Sequence, residues 1–216
     1  MDAIFEEMSL ATDRQLWEGE PELSMREKVL LSLVADVCLQ TLGQPYEQHV
    51  RMAHEHGVGA DDLRELLRFI AYDSGYPAAR AALARLEEIE KEYGLPQPTG
   101  RGHDLDLAGT GSPIPAQIRD EVHALDDRFG DYMDLQSRMR AGMSLLAVRE
   151  RAFATITVDV LFQTLEESLR AHVGRALSAG ASPEAVRAVV RFSARFGMTK
   201  AWRALHVVDG LLAASS

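Results

Sequence analysis

Apolar residues recur along the chain at helical spacing, and no stretch shows the strict alternation of a half-buried strand. Ala3 to Trp17 sets Ile4, Met8, Ala11 and Leu16 along one side and predicts an amphipathic helix, which Gly19, Glu20 and Pro21 end. Ser24 to Leu42 is apolar nearly all round (Val29, Leu30, Leu33, Val34, Val37), the pattern of a helix enclosed in a bundle or an oligomer, and Ser24 with Glu27 forms a capping box at its start. Gln44 to His56 is the next helix, with Gly57 as its left-handed stop. Asp61 to Tyr72 follows, and then Pro77 opens a helix that runs from Ala78 to Tyr93. Gly94 to Pro115, rich in Gly and Pro, predicts a linker, and Ile114 to Gly142 predicts further helix with a break near Gly130. Helices over Leu146 to Leu165, over Glu167 to Ala179, from Ser182-Pro183, and over Thr199 to Leu212 complete an all-α fold.

The later helices restate the earlier ones. A shift of 123 positions (149 minus 26) lays Leu23 to Ala82 on Leu146 to Leu205 without a gap. Arg26-Glu27 meets Arg149-Glu150, Asp36-Val37 meets Asp159-Val160, and Gln40-Thr41-Leu42 meets Gln163-Thr164-Leu165. His49-Val50 meets His172-Val173, Gly57 meets Gly180, and Arg64, Arg68, Phe69 and Arg80 meet Arg187, Arg191, Phe192 and Arg203. Two copies at so long a period mark a duplicated domain and not a solenoid. The expected division is a first repeat over 1–93, a linker over 94–113 and a second, diverged repeat over 114–216, the two repeats packed as a pseudo-dimer.

With 216 residues, 46% of them hydrophobic and 26% charged, the composition is that of an ordinary soluble globular protein. A net charge of -10 with no basic run argues against a nucleic-acid partner. The N-terminus is acidic where a secretory signal is basic, and no apolar run is long enough to span a membrane, so a cytoplasmic protein is expected. Cys38 is the only cysteine, which removes any internal disulfide or CxxC pair. Gly109-Thr110-Gly111 lacks the preceding strand and the Lys-Ser/Thr ending of a phosphate loop.

The recurring polar residues within apolar surroundings are the candidates for chemistry. His49 shares a helical stripe with Tyr46, Val50 and Ala53, and His172 shares one with Leu169, Val173 and Ala176, so both histidines face inward. An inward histidine suits proton transfer, and equally suits a core position satisfied by a carbonyl or carboxylate. Asp36 and Asp159 lie in almost wholly apolar helices; each either finds donors or keeps its proton as a ready general acid. Arg64 and Arg68, like Arg187 and Arg191, stand one turn apart and can pair with the recurring acids or clamp a substrate carboxylate. His54 and His56 flank His49, but their spacing does not converge three imidazoles, so no metal site is expected. Glu27 and Glu150 read as helix-start residues, and Cys38 as a small core residue.

The opening Arg26-Glu27, the long apolar helix, His49 with the run to Gly57, the Asp61-Asp62 helix start, and above all Ala71-Tyr72-Asp73-Ser74-Gly75-Tyr76-Pro77-Ala78-Ala79 resemble the carboxymuconolactone decarboxylase family. The second copy resembles the same family with Gly75, Tyr76 and Pro77 replaced by Met198, Thr199 and Lys200. The resemblance implies an alkylhydroperoxidase-like helical fold associating in rings, here a homo-oligomer and specifically a trimer of double-unit chains. It also implies an enzyme that needs no cofactor and delivers a proton to carbon as CO2 leaves. His49 is then the proton handler, Asp36 its acid or orienting partner, Arg68 the holder of an anionic oxygen, and Tyr72 and Tyr76 the shapers of the pocket. His172 faces the substrate from the twin repeat, and the first repeat is the expected working half. The small-molecule substrate class is an organic acid, lactone or cyclic enone-type metabolite. A repurposed cyclase or isomerase of secondary metabolism, and a non-catalytic binding or assembly protein of the same fold, are the alternatives. The family's peroxidase branch uses cysteines four and seven residues before the histidine, where this chain has Pro45 and Leu42, and Ser168 and Leu165 in the second copy. No thiolate is available there. The relay acid of that branch falls on Val29 and Ala152.

Overall fold

The computed structural model describes residues 2–100, 102, 105, 107 and 114–214, so that Gly109-Thr110-Gly111 and much of the expected linker lie outside the described residues. Among the described residues there is no strand. The first repeat comprises α1 (Ala3–Asp13), α2 (Met25–Leu39), α3 (Gln44–Glu55), α4 (Ala60–Ser74) and α5 (Tyr76–Glu92). Two helices, α6 (Ala116–Leu125) and α7 (Asp127–Ala141), lead into α8 (Val148–Phe162), α9 (Glu167–Ser178), α10 (Pro183–Ser193) and α11 (Met198–Ala214). None of these helices is long and apolar enough to cross a membrane.

Two boundaries differ from expectation. The first helix is α-helical only to Asp13 and continues as a π-helical segment, Arg14–Glu18, whose wider turn changes the phase at which Leu16 and Trp17 emerge. The break expected at Gly130 falls at Asp126, which is extended and caps α7 by accepting a hydrogen bond from the Phe129 N–H at 2.8 Å. Gly130 lies inside α7, where a Cβ would stand 2.5 Å from the His123 ring, so this glycine serves the close packing of α6 on α7.

Helices α2 and α8 run through the centre, and their all-round apolar surfaces follow from what encloses them. α2 is packed by α3, α4, α5, α8 and α10, and α8 by α9, α10, α11, α2 and α4. The Ser24–Glu27 capping box is present, and Glu27 and Glu150 also join the repeats. Arg149 Nε donates to Glu27 at 2.7 Å and Arg26 Nε donates to Glu150 at 2.6 Å, a reciprocal pair expected of an isologous, pseudo-two-fold interface. The segments preceding the central helices are exchanged as well. Leu16 and Leu23 complete the core beneath the second repeat, while Met143 and Leu146 complete that beneath the first. Burying a leucine in this way stabilises by roughly 2 kcal/mol, so neither core is finished by its own repeat alone. The duplication therefore reaches further back than the sequence match, since the same shift carries Trp17 to Arg140 and Gly19 to Gly142.

The ungapped match is corrected at its other end. Gly75 N–H bonds to Ala71 O across a full α turn, whereas Gly197 N–H bonds to Ala194 O across the 3-10 turn Ala194–Phe196, which uses one residue fewer. Beyond the turn the shift is 122 (201 minus 79), and buried Ala79, Ala82 and Leu86 correspond to buried Ala201, Ala204 and Val208. The second repeat thus keeps a glycine, Gly197, in the place of Gly75. Tyr76 and Pro77 are matched by Met198 and Thr199, and Arg80 by Trp202 and not by Arg203.

Candidate active site

Asp36 lies in the last turn of α2, and the chain turns back at Gln40 so that α3 lays His49 against it. Gln40 makes this turn in the left-handed conformation (φ 57), as does Gln163 (φ 61), and each side-chain amide donates to a carbonyl three residues back, Val37 O and Val160 O, both at 2.7 Å. The recurrence of this glutamine is thereby explained by helix termination and not by chemistry. The His49 Nδ1–H donates to Asp36 Oδ2 at 2.6 Å, and the Thr41 hydroxyl donates to Asp36 Oδ1 at 2.8 Å. Asp36 is 1% exposed and His49 5%, so a carboxylate accepting on both oxygens orients the imidazole in a nearly dry setting. Of the two roles expected of Asp36, acid or orienting partner, these contacts fit the second. With Nδ1 engaged, Nε2 is the ring nitrogen left for a reactant.

His49 lines a cavity of about 560 Å³ with Trp17, Gln48, Arg51, Met52 and Arg195. Arg195 comes from the second repeat and pairs with Asp13 at 2.7 Å, while Arg51 stacks over the Tyr93 ring at 4.7 Å. Asp13 and Glu55 also reach this wall, so its charges are mixed. A cavity of this size and mixed lining can hold a small polar metabolite beside the imidazole. Sequence reasoning missed Trp17, Gln48, Arg51 and Arg195: none of them recurs in the repeat, and Arg195 arrives only through the pairing of the repeats.

Other expected site residues lie elsewhere. Arg68 and Tyr76 line a second, apolar cavity of about 330 Å³ with Leu67, Leu83, Met139 and Met143. Tyr72 and Tyr76 line a third, of about 370 Å³, against Phe129, Tyr132 and Gln136, the last of which accepts a hydrogen bond from the Tyr76 hydroxyl. Neither cavity contains His49. The reason is geometric: His49 is on α3, whereas α4 and α5 turn these side chains towards α7, the arm that precedes the second repeat. Arg64 pairs with Glu90 through two bonds of 2.7 Å, and Arg191 pairs in the same two-fold manner with Glu20.

His172 is built into a dyad of its own. Its Nδ1–H donates to Asp159 Oδ2 at 2.6 Å, and Asp159 Oδ1 accepts from Thr164 at 2.6 Å and Ser168 at 2.7 Å. The pairing of Thr41 with Thr164 was visible as a repeated residue, although its task was not. Burial pushes the half-buried Cys38 thiol up to about 12, the reverse of a reactive cysteine. Burial also lowers the pKa of His54, whose Nε2 is enclosed without a partner among the described residues. Among the described residues no three His, Cys, Asp or Glu side chains converge as metal ligands.

Comparison with known proteins bears on the first repeat. The profile of the Carboxymuconolactone decarboxylase family matches residues 5–88, the span that contains Asp36, Thr41 and His49. The 4-carboxymuconolactone decarboxylase of Acinetobacter baylyi is 36% identical over 66 residues, which cover 30% of this chain and 49% of that protein. The chain thus spans about half the length of the curated relative it matches.

Proposed function

We propose, from the premise that residues 5–88 belong to the carboxymuconolactone decarboxylase family, that the first repeat decarboxylates a small organic acid or lactone by proton transfer through His49. The observation that carries this reading is the buried hydrogen bond of 2.6 Å from His49 to Asp36 at the wall of a 560 Å³ cavity. In the reaction the bond between the carboxylate carbon and its neighbour breaks and CO2 leaves. The electron pair stays on the neighbouring carbon, delocalised into an adjacent carbonyl or lactone, and His49 Nε2–H delivers a proton to that carbon. Asp36 holds the ring and stabilises the imidazolium that exists before delivery, and Thr41 holds Asp36. Arg51 and Arg195 supply the anion-holding function expected of Arg68. Net, one proton is consumed per CO2, and no step calls on a cofactor.

The test is incubation of the protein with small carboxylated lactones and β-keto acids, following CO2 release and product mass. Loss of CO2 that depends on His49 supports the reading. A product of unchanged mass would assign the same proton handling to isomerisation or cyclisation, and binding without turnover would assign the protein to ligand binding.

The functional unit is proposed to be a homo-oligomer, a trimer of these double-repeat chains. Ile4, Phe5 and Met8 on α1 are all more than half exposed, an apolar face of the kind that assembly covers. Sedimentation equilibrium reads the mass directly, and a monomer at micromolar concentration would remove the trimer.

A further inference from the structure

The second dyad has neighbours that the first lacks. Arg140 on α7, Arg151 on α8 and Arg175 on α9 line one cavity of about 170 Å³, together with Phe69, Ser137 and Val148. The shift of 123 relates these arginines to Trp17, Lys28 and Met52, so three guanidinium groups stand where the first repeat has a single cation. Arg175 is one turn beyond His172 on the same helix, and the partly buried Asp73 feels Arg140, His172, Asp159 and Arg175 together.

This positive charge is incompletely answered by the protein. Arg140 Nη1 donates to Asp73 at 3.3 Å and its guanidinium lies 3.8 Å over the Tyr72 ring, while Arg151 Nη1 donates to the Met143 carbonyl. Glu65 stands 4.0 Å from Arg151, but its carboxylate already accepts from the backbone N–H groups of Ser144, Leu145 and Leu146 at 3.1, 3.1 and 2.8 Å. Arg140 Nε is buried without a partner among the described residues. Burial lowers the pKa of both Arg140 and Arg151, and the charge of Arg175 lowers both further. Like charges held together in a half-buried space are unfavourable unless an anion joins them. The cavity is too small for a drug-sized molecule and large enough for a compact one. Its apolar wall of Phe69, Ala141 and Val148 favours a ligand with a carbon body over a bare inorganic ion.

We infer that the cavity between Arg140, Arg151 and Arg175 is a binding site for a small dicarboxylate, placed beside the Asp159–His172 dyad and distinct from the His49 cavity. Guanidinium forks match carboxylates bidentately, and three of them on three helices can engage both ends of a short diacid.

The inference does not rest on turnover in the first repeat, because binding is measured without a reaction. Malonate is titrated calorimetrically into the full chain at constant ionic strength, with sulfate as a parallel arm. Malonate binding is expected, weakened about tenfold or more by Arg175→Ala. Arg175 is exposed, so this change leaves the fold intact, as circular dichroism checks, and Arg175→Gln serves as a second variant. Arg187→Ala, outside the lining of this cavity and of the His49 cavity, leaves the malonate affinity unchanged. No malonate binding, equal binding of sulfate, or affinity that survives both Arg175 substitutions overturns the proposal.

Discussion

The Asp36–His49 and Asp159–His172 pairs share a hydrogen bond of the same 2.6 Å, a threonine on the second carboxylate oxygen and a left-handed glutamine that turns one helix onto the next. Their surroundings diverge. One turn past the histidine stands Met52 in the first repeat and Arg175 in the second, and the arm that crosses from the partner repeat presents Trp17 to Phe192 in one case and Arg140 to Phe69 in the other. Duplication thus preserved the pairing of imidazole and carboxylate and altered the wall around it. An orienting dyad depends on a few residues within two consecutive helices, whereas the wall is assembled from both repeats and can change on either side without unfolding the dyad.

The largest effect is expected from separating the two histidines. His49→Ala lowers the rate of CO2 release by roughly a hundredfold to ten-thousandfold, and Asp36→Asn, which misorients the ring, by at least about tenfold. His172→Ala changes the rate little by comparison, and single-turnover assays of the three variants give the ranking. A reversed ranking would make the second repeat the working half.

Next come the two acids that only the first repeat possesses. Glu65 gathers three backbone N–H groups at the start of the second central helix, and the same position in the second repeat is Ala188. Glu65→Ala leaves those donors unmet and costs about 3 kcal/mol, roughly 8 °C of melting temperature. Arg64→Ala strands the fully buried Glu90, at a cost of about 3 kcal/mol. Arg187→Ala removes pairs with the exposed Asp209 and Glu184 and costs under about 1 kcal/mol. Denaturant melts of the two arginine variants compare the repeats directly, and equal costs would mean that burial of Glu90 is not what distinguishes them.

The smallest effect concerns Cys38, which the second repeat replaces with Leu161. Since alkylation proceeds through the thiolate and burial holds the thiol near 12, the native protein at pH 8 carries very little thiolate. Iodoacetamide should label Cys38 in denaturant and leave it largely unmodified in the native state. Fast native labelling would show that the end of α2 opens readily.

Much of this molecule was written locally. The all-helical fold, the capping box at Ser24 and Glu27, the stops at Gly57 and Gly180, and the inward stripes bearing His49 and His172 all follow from spacing and from residue types that favour caps and turns. The repeat marks Asp36 and His49 as candidates from the sequence, because a polar residue said twice in an apolar setting has a shared task, and it matches Thr41 with Thr164 without showing what they do. Gly130 was misread as a break because a glycine that ends a helix and one that admits a neighbour look alike in one dimension. Arg68, Tyr72 and Tyr76 are grouped with His49 by residue type and resemblance, and α4 and α5 carry them to other cavities.

The chain's residues by themselves thus determined the helices, their order and the histidine–aspartate pair, since each depends on neighbours within a few turns. The tertiary structure alone decided what faces each pair. Arg195 reaches His49, and Phe69 and Arg140 meet near His172, only because each repeat sends an arm across to finish the other's core. Contacts between side chains 71 (140 minus 69) or more positions apart leave no periodic trace, so the identity of the two walls came from packing and not from pattern.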